Sequence, residues 1–294
     1  MRVTLGMRDA AARAAATDSS ERLLTASNRA STGKRVAAPK DDPGAYARIA
    51  TQSGGLGVLG ARSRAIARAE GELTAAEGAL ASAADLLKRA REIAVQMADG
   101  SISATDRAVA ANEVTQLRQS LVGLANTQVG DVYVFGGTAT QTPPFSATGV
   151  FLANDNPIEL EVADGMRVRA NSSGAQAFTI AGGRDVFADL DAFATALAAN
   201  DVVGVQTAIG NIDDGHAQVT KTRADAGVTV DRMRTASTVT SSAEVALREL
   251  RAGEEESDAI QAFADLAKAQ AAYERALEVT KRMLSTFQAD KLAP

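Results

Sequence analysis

The 294-residue chain contains no cysteine, no tryptophan and a single histidine, and aromatic residues make up only 4% of it. Without cysteine there can be no disulfide framework, no cysteine-ligated zinc and no thiol nucleophile; the absence does not decide the compartment. With 46% hydrophobic residues, alanine prominent among them, and 23% charged residues, the composition suits long helices better than a large globular core. A net charge of −5 provides no global basic field to attract nucleic acid or an anionic membrane. The uncharged stretch Val132 to Asn154 is long enough to span a bilayer but holds Pro143 and Pro144 and many small polar residues, so no membrane insertion is expected. The first residues, MRVTLGMRDAAARAAATD, lack the apolar core of a secretory signal. If the protein works outside the cell, it leaves by a route that needs no cleaved signal.

What the chain does have is a heptad pattern. Leu59, Ile66, Leu73, Leu80, Leu87 and Ala94 form one line, and Arg62, Ala69, Ala76, Ala83, Ala90 and Met97 a second. The alternating 3, 4 spacing puts both lines on one face of a helix that must pair with others, roughly 58 Å long at about 1.5 Å per residue. Gly54, Gly55, Gly57 and Gly60 precede it and predict a soft start. Asp99-Gly100-Ser101 ends it, Ser103 and Asp106 resemble a capping box, and Val114, Leu117, Leu121 and Leu124 give the next helix its stripe. After Gly130 the chain turns strand-like at Val132–Phe135, 150–152, 158–162, 166–170 and 177–180. Helix returns at Asp185, with Phe187, Leu190, Phe193 and Leu197 apolar. Runs around Val205–Val219 and Val230–Leu250 follow, and a break is expected at Gly253. A last helix carries Phe263, Leu266, Tyr273, Leu277, Leu284 and Phe287. The fold class read from this is mainly α: an elongated antiparallel helical bundle or coiled-coil rod built by both halves of the chain, with a small β-rich insert as a knob.

No constellation makes an active site. His216 lies in an apolar stripe with no second histidine, which favours a packed side chain over a metal ligand. Asp41-Asp42, between Pro39 and Pro43, shapes a turn more readily than it performs catalysis. The glycines near 54–57 lack the Lys-Ser/Thr of a phosphate loop, and Arg62, Arg64 and Arg68 are followed by Glu70, Glu72 and Glu77, a solvated charged face. No catalysis, cofactor or metal is expected.

Two stretches resemble a known family. The turn Ser31-Thr32-Gly33-Lys34-Arg35-Val36, followed by Pro39, Asp41, Asp42 and Pro43, is similar to the turn after the first helix of flagellin-family proteins, most of all their hook–filament junction members. A second stretch, Tyr133, Phe135 and Gly136 followed by Thr142, Pro143, Pro144 and Phe145, is similar to the junction members too. A weaker likeness joins Phe187–Leu190, Arg223–Gly227 and Arg232-Met233. Lys40 departs from the pattern, where a small residue is expected. The resemblance implies a structural protein of the bacterial flagellum, extracellular, exported unfolded through the flagellar type III apparatus and seated between hook and filament. Its implied partners are copies of itself in a junction ring, a hook-associated protein on the hook side, flagellin on the filament side and an export chaperone. It implies terminal helices at 1–45 and 254–294 that are disordered in the free subunit and ordered by assembly. A helical rod at 46–136 and 200–253 and an outer β-rich domain at 137–199 complete the expected division, with the insert from about Gly137 to Gly183 separable. A filament subunit and a coiled-coil signalling or adaptor protein are the alternatives.

Overall fold

In the computed structural model, which describes residues 5–292, long helices dominate and strands are short. Contacts divide the chain into two compact units, Met1–Val58 with Glu244–Pro294, and Leu59–Ala243. Both boundaries fall inside long helices, α2 (Pro43–Met97) and α6 (Val202–Glu255). Residues 137–199 stay in the same unit as the helices around them.

In the Leu59–Ala243 unit the heptad lines are the core. Ile66, Ala69, Leu73, Ala76, Leu80, Ala83, Leu87, Ala90, Ala94 and Met97 are all buried, and Leu59 and Arg62 are half-buried. Ion pairs join Glu70 to Arg234, Glu77 to Arg223 and Arg91 to Asp213. Numbers rise along α2 as they fall along α6, so the two helices run antiparallel. Asp99 caps the turn that follows by accepting from the Ser101 amide at 2.8 Å. Ser103 then N-caps α3 (Ala104–Ala125), accepting from the Asp106 amide and donating to its carboxylate at 2.7 Å. Val114 and Leu121 of α3 pack with Phe187, Leu190, Phe193 and Leu197 of a later helix, α5 (Val186–Ala198), in one continuous core.

Between α3 and α5 lie two small antiparallel hairpins: β1 (Gln128–Val129) with β2 (Val132–Tyr133), and β3 (Glu159–Ala163) with β4 (Met166–Arg169). Several sequence expectations need correction here. Residues 177–180 are no strand. Ser173 caps a short helix, α4 (Gly174–Phe178), and Thr179 caps a 3-10 turn at Ile180–Gly182, because both hydroxyls take up amides that a ladder would otherwise use. Residues 150–152 contribute only an isolated bridge from Phe151 to Phe145. Nor is the insert a separable knob. Five of the chain's eight phenylalanines, Phe135, Phe145, Phe151, Phe178 and Phe187, form one cluster with ring centroids 5.1–5.7 Å apart. Four of these rings are buried in the core that holds Leu80 and Leu87. The aromatic payload the chain otherwise lacks is concentrated at this one place. The β3–β4 hairpin in turn lays Val162, Val168 and Ala170 on Ile66, Ala69, Leu73, Val230 and Met233.

Two further corrections concern the long helices. α2 begins at Pro43 and runs through Gly54, Gly55, Gly57 and Gly60 without interruption. Each glycine costs a helix up to about 1 kcal/mol, but a Cβ on Gly55 would meet the Leu247 methyl at 2.9 Å, so packing explains that residue. The runs 205–219 and 230–250 are a single helix, and Gly253 does not break it; α6 ends at Glu255.

In the unit built from both ends of the chain, α1 (Leu5–Thr32) packs along α7 (Ala259–Leu292). Their buried apolar residues among those described are small, Ala12 and Ala262, while Leu24, Ile260 and Phe263 are exposed. Among the described residues no helix is long and apolar enough to cross a membrane.

Candidate assembly surfaces

The motif turn between α1 and α2 ties four helix ends together. Gly33 ends α1 with φ +68°, a conformation that suits glycine, and its amide donates to the Arg29 carbonyl at 2.9 Å. The Ser31 and Thr32 hydroxyls donate back to the Asn28 carbonyl at 3.1 and 2.6 Å. The amides of Arg35 and Val36 donate to the Glu255 carbonyl, and the Ser257 amide donates to the Gly33 carbonyl at 2.8 Å. The end of α6 and the start of α7 are thereby stitched to the turn. Val36 is buried, and Lys34 pairs with Glu255. The Arg35 guanidinium donates to the Glu254 carbonyl at 2.8 Å and to Asp42 at 3.3 Å. Arg48 grips the Glu254 carboxylate with two bonds of 2.8 Å.

The acid pair has structural partners. Asp41 accepts from the amides of Ala37 and Ala38, and Asp42 accepts from the Ala45 amide at 2.9 Å, with Pro43 as the first helical residue of α2. The Ala38 amide, then that of Ala37, holds the Asp41 carboxyl below its ordinary range. The Ala45 amide does the same for Asp42. The Arg48 side chain lowers Glu254. Pro39 and Lys40 complete the turn, Lys40 adding a weaker favourable charge beside Asp41.

The second motif forms the base of the insert. The Tyr133 amide donates to the Thr140 carbonyl at 2.9 Å, Phe135 is fully buried, and a Cβ on Gly136 would lie 2.6 Å from the Ala139 carbonyl oxygen. Thr142 and Pro143 are exposed and Pro144 is buried. The Asn126 side chain exchanges two hydrogen bonds of 2.9 Å with the Phe145 backbone, which fixes this ring in the aromatic cluster.

Residues 4–140, just under half of the chain, match the bacterial flagellin N-terminal helical region. The chain shares its fold with solved structures. One, described as a flagellar hook-associated protein from Vibrio parahaemolyticus, is 22% identical, with 74% of this chain and 100% of that one covered at a TM-score of 0.67. FlgL of Bacillus cereus is 22% identical over 67% and 96% of the two chains, with a TM-score of 0.58. The flagellar junction protein FlgL of Legionella pneumophila is 17% identical over 72% and 100%, with a TM-score of 0.55. Compared with curated proteins by sequence, the chain gives no significant match.

On α7, Leu266 and Tyr273 are half-buried, while Phe263 and Leu277 are exposed. The side chains of Leu284 and Phe287 lie outside the described residues. His216 is half-buried, and its Nε2 is buried without a hydrogen-bond partner.

Two pinning residues were not singled out from sequence. Arg107 is almost fully buried; its guanidinium donates to the Met97 and Asp99 carbonyls and to the Asn200 side chain, closing the end of α2. Gln218 on α6 donates to the carbonyls of Ala177, Thr179 and Arg184 and accepts from the Arg184 amide, holding the insert's last turn. An arginine and a glutamine inside helical patterns read as surface residues, and nothing local signals their distant carbonyl partners.

Proposed function

We propose that this chain is a structural subunit of the bacterial flagellum that joins hook to filament. The observation that carries the reading is the fold shared with proteins described as hook-associated or junction proteins, over the whole or nearly the whole of their chains. The flagellin N-terminal region at residues 4–140 sets the flagellar context. The subunit acts by geometry rather than catalysis. It associates with copies of itself in a ring and meets a hook-associated protein on one side and flagellin on the other. It reaches that place outside the cell by flagellar export without a cleaved signal, escorted by a chaperone.

Terminal segments 1–45 and 254–294 serve as assembly-ordered helices, joined by the motif turn to a helical body at 46–136 and 200–253, into whose core the insert at 137–199 packs its aromatic rings. The thin burial between α1 and α7 supports this division of labour, because a helix without a large apolar face is marginal until neighbours cover it. The test is a deletion strain viewed by electron microscopy. Hooks without filaments, with flagellin released into the medium, are expected. Normal filaments would overturn the reading. Polymerisation of the purified chain alone into long filaments would favour a filament subunit, and a stable folded dimer with ordered ends would favour a coiled-coil adaptor.

A further inference from the structure

One stretch of α2 and α6 is firmed up neither by a core nor by side-chain bonds. Between the buried Ala45 and the buried Ile66, residues 46–65 of α2 include none that is buried. On α6, past the buried Met233, residues 234–255 bury only Thr240. The ion pairs Arg48–Glu254 and Glu70–Arg234 bound the stretch. Between them, among the described residues, no side-chain hydrogen bond or ion pair joins the two helices. Gln52 keeps its amide oxygen buried there without a hydrogen-bond partner.

Both helices also carry poor helix formers here. Four of the seven residues 54–60 are glycine, and Ser53 precedes them. Leu247 accounts for Gly55 alone. A Cβ on Gly54 or Gly57 would meet nothing within 4 Å, and one on Gly60 only the flexible Arg64 guanidinium at 3.7 Å. Alanine would fit at all three positions and would favour the helix by up to about 1 kcal/mol at each. Glycine there permits no close approach; it leaves backbone freedom. Gly/Ser pairs are among the few places where helices kink. On α6, six of the eight residues 235–242 are serine or threonine. Thr235, Thr238 and Ser242 donate to the carbonyls of Asp231, Arg234 and Thr238, four residues back. Such bonds compete with the helix's own and favour bending. The Gly55–Leu247 contact and the Glu70–Arg234 pair set the register, so Gly60 lies level with the end of this hydroxyl run. The boundaries of the two compact units, after Val58 and after Ala243, fall at the same level.

We infer that α2 and α6 bend together here, with residues 54–60 and 235–242 forming a hinge inside the helical body. The motif turn is not that hinge, because its backbone hydrogen bonds and ion pairs hold four helix ends in place. Hinges of this kind concentrate a change of direction in a few residues and leave the flanking packing intact. The hinge is independent of the junction reading, and its test needs no flagellum.

The absence of native cysteine allows spin labels to be placed on the purified full chain. Ala47→Cys with Arg167→Cys brackets the hinge, and Arg167→Cys with Gln96→Cys spans the packed seam as a reference. All three residues are exposed, and the shared hairpin label makes any motion of the hairpin common to both pairs. Double electron–electron resonance should give a distance distribution about twice as wide across the hinge as in the reference. Gly54→Ala, Gly57→Ala and Gly60→Ala together should narrow it to the reference width, with helicity by circular dichroism kept or raised. Hydrogen exchange on the unlabelled chain provides a second reading. Amides of 54–60 should exchange about tenfold faster than those of 83–90, and the three alanines should slow them. Equal widths in the two pairs, or equal protection of the two segments, would overturn the hinge. So would a broad distribution that the three alanines leave unchanged, because its source would then lie outside the glycines.

Discussion

At the residue scale, Leu80 and Arg107 show two ways of filling a helical core. Leu80 is fully buried in the middle of the α2 seam. Leu80→Asp places a carboxylate there with no partner, and stability should fall by about 4 kcal/mol or more. A thermal unfolding midpoint unchanged from wild type would remove this seam from the core. Arg107 is buried too, but its worth lies in carbonyls it satisfies at both sides of the Asp99 turn. Arg107→Met keeps the bulk and removes the donors, so a loss of about 2–4 kcal/mol is expected in denaturant titration. The first residue was legible in sequence because a heptad line repeats the same residue class on one helix. The second was not, since its partners at Met97, Asp99 and Asn200 become neighbours only after the chain has folded back.

At the element scale, the turn and the insert differ in how much of each was readable. The turn residues Gly33, Asp41, Asp42 and Pro43 act within a few residues of themselves, and such local chemistry is visible in one dimension. Their stitching to Glu254, Glu255 and Ser257 is not. The same applies to residues 177–180, where capping hydroxyls outweighed a strand-like pattern, and to Gly253, which the helix accommodates two residues from its end. Asp41, Asp42 and Glu254 all have lowered pKa values in the folded turn. Their contribution is therefore present above the ordinary values of 3.8 and 4.5 and is lost as pH falls through the lower folded values. Amide exchange at Arg35, Val36 and Ser257 should accelerate in strong acid, ahead of exchange at the α2 seam; equal protection of both would refute the link. The insert responds to cutting according to where its rings lie. Replacing Glu159–Arg169 with a short Gly/Ser linker should leave far-ultraviolet helicity nearly intact. Replacing the whole stretch Gly137–Gly183 removes Phe145, Phe151 and Phe178 and should abolish cooperative unfolding.

At the scale of the whole molecule, stability is unevenly shared. The seam, the aromatic cluster and the pinning side chains all belong to residues 59–243. The buried apolar residues of the two terminal helices, among those described, are alanines. Fixing each backbone residue costs about 1–2 kcal/mol, and alanine contacts alone return little of it. The ends should therefore open locally far more often than the body does. Limited proteolysis of the purified chain is expected to clip both ends and spare about Tyr46 to Leu250. A chain lacking Ser257–Pro294 also loses the Ser257–Gly33 hydrogen bond, yet keeps the whole of the Leu59–Ala243 unit. It should remain helical and well behaved in solution but fail to support filament growth. Protection of both ends in dilute monomer, or normal filaments grown on the truncated chain, would mean that the terminal helices are finished before assembly. Their exposed Leu24, Ile260 and Phe263 would then need another explanation.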